Sequence, residues 1–151
     1  MIRQFCDIRT TVFRLRMQLR FGRLSRAPLR ILRLEWRTDH ANCDWVARPH
    51  DVWDEDLRPS VGKTNASLQA LEDAILVRDL LFSTLKGIST ATLRAYREND
   101  DGSLELIISG TVTRSERFLY RVHSLVMRAK LCGFQFFLNE GDLMAFQTDD
   151  A

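Results

Sequence analysis

Three groups of side chains in this chain are of types that could do chemistry. They are the metal-capable His40, Cys43 and His50, the tripeptide Gly62-Lys63-Thr64, and the hydroxyls of Ser109 and Thr111 on either side of Gly110. A zinc site needs about four convergent ligands, and the first group contains no paired Cys-x-x-Cys to start one. The tripeptide matches the end of a phosphate-binding loop, but that pattern needs glycine five residues before Gly62, where Leu57 stands, and a strand leading in. "ISGTV" is not the G-x-S-x-G turn of a serine nucleophile, and no histidine is paired with either hydroxyl. His123 has no carboxylate near it in sequence and reads as a surface or boundary histidine. With no nucleophile, base and orienting group in view, the sequence reads as a non-enzymatic protein with no catalytic residues, metal or cofactor.

The elements that position these residues must belong to a small protein. At 151 residues and 45% hydrophobic composition the chain can bury one ordinary core. No apolar run approaches the ~18 residues of a membrane-spanning helix, and no apolar segment followed by a small-residue cleavage site suggests a secretory signal. Cys6, Cys43 and Cys132 are odd in number and far apart, so they build no closed disulfide framework. Compartment stays unknown from these features.

The formal charge of +2 is unevenly distributed. Residues 1–37 hold ten arginines against Asp7 and Glu35, a net +8, which leaves 12 basic and 18 acidic residues, net −6, for residues 38–151. Such a split suggests an N-terminal arm for acidic surfaces, either nucleic acid or anionic lipid. Within it Phe13, Leu15, Met17, Leu19 and Phe21 alternate with Arg14, Arg16, Gln18 and Arg20 as in a strand. Yet Arg16, Arg20, Arg23, Arg26, Arg30, Arg33 and Arg37 recur at helical spacing. Two incompatible periods in so charged a segment predict an arm with poor order. Residues 38–66 hold two of the three prolines and six acidic residues without a sustained period, and read as a linker.

From residue 67 the pattern becomes regular. "SLQALEDAILVRDLLFSTLKG" predicts a helix capped by Ser67, stopped at Lys86-Gly87 and apolar on two sides. "TATLRAYREN" and "SLELIISGTV" predict two strands joined through the Asp-Gly turn of Asn99–Gly102. Thr113 and Glu116 form a T-x-x-E capping box, predicting that a second helix starts directly after Val112 and ends at Gly133. Gly110 would let the next element cross close to the strand. The aromatic "FQFFLN" follows as a short strand, expected parallel to one hairpin strand, with "LMAFQ" pairing back through "EGD". The expected fold is α+β, a two-layer α-β-β-α-β(-β) sandwich over residues 67–148 with both helices on one face of a small mixed sheet.

On the outer side of the second predicted helix lie Tyr120, Met127 and Leu131, bordered by Arg117, Arg121 and Arg128, a small apolar stripe with a basic edge. These six are the candidate binding residues, and Arg14, Arg16, Arg20, Arg23, Arg30 and Arg33 represent the basic arm.

The order of elements and the glycines resemble the BON domain, a small bacterial module. The residues that carry the likeness are "DGSLELIISGTV", then "SER", then "GFQFFLN" with its closing Asn, so that Gly102, Gly110, Gly133 and Asn139 correspond and residues 67–143 are covered. The final strand departs from the pattern in having Phe134, Phe136 and Phe137, and a single copy is visible. The resemblance implies a non-enzymatic domain at the cell envelope that binds phospholipid surfaces or other proteins. Two alternatives stand beside it: oligomerisation through the open edge of the aromatic strand at 134–138, and nucleic-acid binding through the arm.

Overall fold

The computed structural model describes residues 9–10, 12–14, 17, 29–49, 58–114 and 121–147. Among the described residues the fold is α+β: a mixed four-stranded sheet, a two-stranded hairpin and the two helices named below, with Arg9, Thr10, Val12, Phe13, Arg14 and Met17 also helical. In chain order the elements are β1 (Arg30–Arg37), β2 (His40–Val46), α1 (Pro59–Thr84), β3 (Thr90–Glu98), β4 (Leu104–Thr113), α2 (Leu125–Cys132), β5 (Phe137–Asn139) and β6 (Asp142–Met144).

The sheet order is β1-β2-β3-β4, so the domain begins well before residue 67. Residues 30–37, expected in a poorly ordered arm, form its first strand, and residues 40–46, expected in a linker, form the second. β1 and β2 are antiparallel around a turn at Thr38 and Asp39, in which Thr38 has a φ of 50°. β2 then runs parallel to β3, and a parallel pair needs a crossover, which α1 supplies. Both strands alternate. Ala41, Cys43 and Trp45 are buried on the helix side while His40, Asn42 and Asp44 face the other way. In β1 the alternation is broken by a bulge between Ile31 and Arg33. That extra residue puts Arg30 and Arg33 on one face although they stand three apart, which is why their spacing imitates a helix.

The β3–β4 hairpin forms as expected. Its turn is closed by Asn99 N–H to Ser103 O (2.8 Å) and Gly102 N–H to Asn99 O (2.9 Å), with Gly102 at φ +84°. Asp101 accepts from the backbone N–H and hydroxyl of Ser103, which hold its carboxyl below the usual range.

α1 starts eight residues before Ser67, with Pro59 in its first turn, where the missing N–H has no intrahelical partner to lose. Gly62-Lys63-Thr64 is therefore helix, not a loop. Ser67 is not a cap but a buried mid-helix hydroxyl, accepting from Leu143 N–H at 2.9 Å and donating to Asp142. α1 meets β3 and β4 on one side and α2 and β6 on another, which accounts for its two apolar sides. Leu71, Ala74, Val77 and Leu81 are fully buried there against Leu93, Ile108 and Val112 in one core. Each large side chain so placed contributes about 1.5–3 kcal/mol.

The join after β4 differs from the capping-box reading. Thr113 is still strand, its carbonyl accepts from Arg78, and Glu116 lies outside the described residues. α2 starts at Leu125, where Ser124 caps it by accepting from Met127 N–H, and it ends on Gly133 at φ +107°. Arg114, next in sequence after Thr113, stabilises a different helix end: its guanidinium donates to the carbonyls of Phe82 (2.6 Å) in the last turn of α1 and of Leu85 (2.9 Å) and Ile88 (2.6 Å) beyond it. A cation suits the negative end of a helix.

Gly110 does allow a close crossing. A Cβ there would lie 2.5 Å from Gly133 O and 3.0 Å from Phe134 Cα, because the chain leaving α2 passes directly over β4. Ser109 and Gln135 exchange backbone hydrogen bonds as an antiparallel bridge, not the parallel strand expected. β5 and β6 pair as expected, across a turn with Glu140 and Gly141 both at positive φ.

Candidate interaction surface

Among the described residues, helices cover one face of the four-stranded sheet and leave the other facing outward. Three cross-strand rows can be read along that outer face. Arg33, Asp44, Arg94 and Ser109 form one, Glu35, Asn42, Thr92 and Thr111 the next, and Arg37, His40, Thr90 and Thr113 the third. Arg30 and Glu98 extend it at one end, joined by an ion pair of 3.2 Å, and Arg33 is paired with Glu35. These pairs are about half exposed and contribute little to stability. Arg37 and Arg94 are exposed, with His40 opposite the first and Asp44 opposite the second in register.

His40 sits in a row of hydroxyls. Its Nδ1 is 2.6 Å from Thr90 Oγ1, its Nε2 is 3.0 Å from Thr92 Oγ1, and Thr92 is 3.2 Å from Thr111 Oγ1. The ring is held by both nitrogens and ties three strands together. Cys43, the nearest thiol in sequence, lies on the opposite, buried face, where burial and neighbouring Asp44 push its pKa up to about 12. His40 and Cys43 therefore do not converge, and His50 lies outside the described residues.

The second candidate surface is on α2. Met127 and Leu131 stand one helical turn apart and are 50% and 57% exposed, Arg121 is exposed before the helix, and Arg128 is half-buried. Tyr120 and Arg117 lie outside the described residues, as do Arg16, Arg20 and Arg23 of the arm. Arg14 donates to Thr84 Oγ1 at 3.3 Å, at the end of α1. Of the six arm positions, then, Arg30 and Arg33 are part of the sheet's outer face.

The structural residues fall at joints. Gly102 and Gly133 take positive φ, Gly110 is under the crossing chain, Thr113 ends β4, and Asn139 pairs with Asp142 at the hairpin turn. The C-terminal hairpin is anchored by Arg97, which donates to Glu105 (2.8 Å) and to Leu143 O (2.8 Å), and Phe146 N–H donates to Leu106 O (2.8 Å).

A buried charge cluster is structural. Arg48, just beyond β2, donates through Nε to Asp73 Oδ2 at 2.8 Å and through Nη2 to Oδ1 at 3.3 Å, and Gln69 donates to the same Oδ1 at 2.9 Å. All three are at most 4% exposed. Burial raises the pKa of Asp73, opposed by the Arg48 and Gln69 hydrogen bonds.

The residues missed from sequence as surface elements are His40, Asn42 and Asp44. Their signal was the alternation within "HANCDWV", whose inward members are small or aromatic and not the usual Val and Ile. Comparison with protein-family models, curated proteins and solved structures finds no match to this chain.

Proposed function

We propose that this protein is a non-enzymatic binding module whose outward sheet face, together with the basic segment leading into it, meets an anionic phospholipid surface. The observation that carries this reading is that Arg30, Arg33 and Arg37 on β1 and Arg94 on β3 share the open face. The arginine-rich segment is thus continuous with the folded domain, and its charge adds to that of the sheet. Arginine near an anionic membrane contributes about 1 kcal/mol each. Glu35, Asp44 and Glu98 lie on the same face and reduce its net charge, so the segment before β1 must supply much of the attraction. The resemblance to BON domains leads to the same class of function at the cell envelope.

Co-sedimentation of the full chain with vesicles of phosphatidylglycerol or phosphatidylcholine, at low and high salt, tests the proposal. Binding to the anionic vesicles that weakens in salt is the expected result. Equal binding to both would instead favour insertion of the Met127 and Leu131 stripe, a reading supported by the exposure of those two side chains. No binding to either overturns the lipid reading, and a labelled single-stranded oligonucleotide or a protein partner becomes the next probe.

A further inference from the structure

The two ends of the four-stranded sheet are treated differently. Along β4, Gln135 bonds to Ser109 through both backbone groups, and Leu106 O accepts from Phe146 N–H, so that edge is occupied. Along β1 no strand pairs with the outer edge among the described residues. Counting an antiparallel ladder back from the turn at Thr38 and Asp39 puts the backbone N–H and C=O groups of Leu34 and Trp36 on the side away from β2.

The side chains of this edge complement themselves. About a two-fold axis at Leu34, an antiparallel copy places Leu34 opposite the partner's Leu34 and Arg33 opposite the partner's Glu35. By symmetry Glu35 meets the partner's Arg33. The same register sets Leu32, 45% exposed, opposite the partner's Trp36, which is half-buried on the helix side. Arg33 and Glu35 are 51% and 52% exposed and lie on the same face of one strand, so pairing exchanges two intrachain ion pairs, one in each copy, for two interchain ones. Cross-strand pairs of opposite charge and of apolar side chains are the unit of sheet stabilisation, and like charges directly opposite are unfavourable.

We propose that β1 pairs with β1 of a second copy, giving a two-fold dimer with one continuous eight-stranded sheet. The occupant of the open edge is this same chain, because the Arg33–Glu35 arrangement matches itself only in the antiparallel two-fold register. The inference does not depend on the lipid reading: Arg33 and Glu35 lie on the outer face, but the pairing runs along the backbone edge of β1 and is read without lipid.

Sedimentation velocity of the full chain over a range of concentrations tests it, beginning from a monomer of 17.6 kDa. Arg33→Glu alone puts carboxylates opposite one another, and Glu35→Arg alone does the same with guanidinium groups. Each is expected to raise the dimer dissociation constant about tenfold or more, and the double exchange Arg33→Glu/Glu35→Arg is expected to restore it. Circular dichroism of each variant checks that the half-exposed substitutions leave the fold intact. A dimer that responds in this way supports the proposal. It is overturned by a full chain that stays monomeric at its highest soluble concentration, by a dimer that the single reversals leave unchanged, or by a double exchange that remains as impaired as the singles.

Discussion

Adding one methyl group at Gly110 tests the packing of the whole domain. In the native backbone that carbon would be 2.5 Å from Gly133 O, 3.0 Å from Phe134 Cα and 3.2 Å from Gly133 C. All three are backbone atoms, so no side chain can rotate away. Relief requires the chain after α2 to lift from β4, which breaks the paired hydrogen bonds between Ser109 and Gln135. Overpacking of this kind costs about 1–3 kcal/mol and sometimes more, and the two hydrogen bonds add about 1 kcal/mol each if they are lost. Gly110→Ala should therefore destabilise by about 3 kcal/mol or more, a fall in Tm of roughly 6–12 °C for a chain of this size. Two controls separate sterics from backbone conformation. At Gly102 a Cβ meets nothing within 4 Å but φ is +84°, so Gly102→Ala should cost only about 1–2 kcal/mol. At Gly87 there is open space and no positive φ, so alanine should be close to neutral. Urea denaturation of the three variants gives the ranking. A Gly110→Ala protein within about 0.5 kcal/mol of wild type, the ordinary range of a surface change, would refute the close crossing of β4.

The remaining predictions concern buried groups. Asp73→Asn removes the carboxylate that accepts from Arg48 and Gln69 and should destabilise by about 1–3 kcal/mol, whereas Arg48→Met/Asp73→Leu together should recover most of that loss; denaturant titration of both variants checks the pair. Cys43, with its thiol pushed up to about 12, should resist iodoacetamide at pH 8 in the folded protein and react once denatured, as read by mass spectrometry of the peptide.

How much of this was legible follows from where sequence signals are local. The body of the long helix, the Asp-Gly hairpin, the stop at Gly133 and the final short hairpin all depend on residues close in the chain and form as the sequence predicts, whereas the long helix starts at Pro59 and not at the expected Ser67 cap. The first half of the sheet was hidden for two physical reasons. In β1 the bulge at Leu32 shifts the arginines from a spacing of two to three, so a strand face looks like a helix stripe. In β2 the buried positions are Ala41, Cys43 and Trp45, which pack under α1 with little bulk except at Trp45, while the outward Asn42 and Asp44 resemble loop residues. The helix start at Leu125 was placed too early because T-x-x-E at 113–116 fits a cap locally, while Thr113 is held in β4 opposite Thr90. The open face could not be read from sequence at all, since it depends on β2 lying parallel to β3 across a helix. Met127 and Leu131 were legible as exposed because their spacing on α2 places them away from the buried Ala129 and Cys132.

The central claim, that the open sheet face of this domain binds an anionic surface, is tested most directly by reversing charge at Arg37 and Arg94, which form no ion pair in the face among the described residues. Both are exposed, so the fold should tolerate the change. Removing two arginine contacts of about 1 kcal/mol each lowers affinity for phosphatidylglycerol vesicles roughly 30-fold, and the added repulsion lowers it further. The account predicts that Arg37→Glu/Arg94→Glu in the full chain loses at least that much while its thermal unfolding stays unchanged. Undiminished binding by the folded double variant would contradict the account and assign any membrane affinity to other parts of the chain.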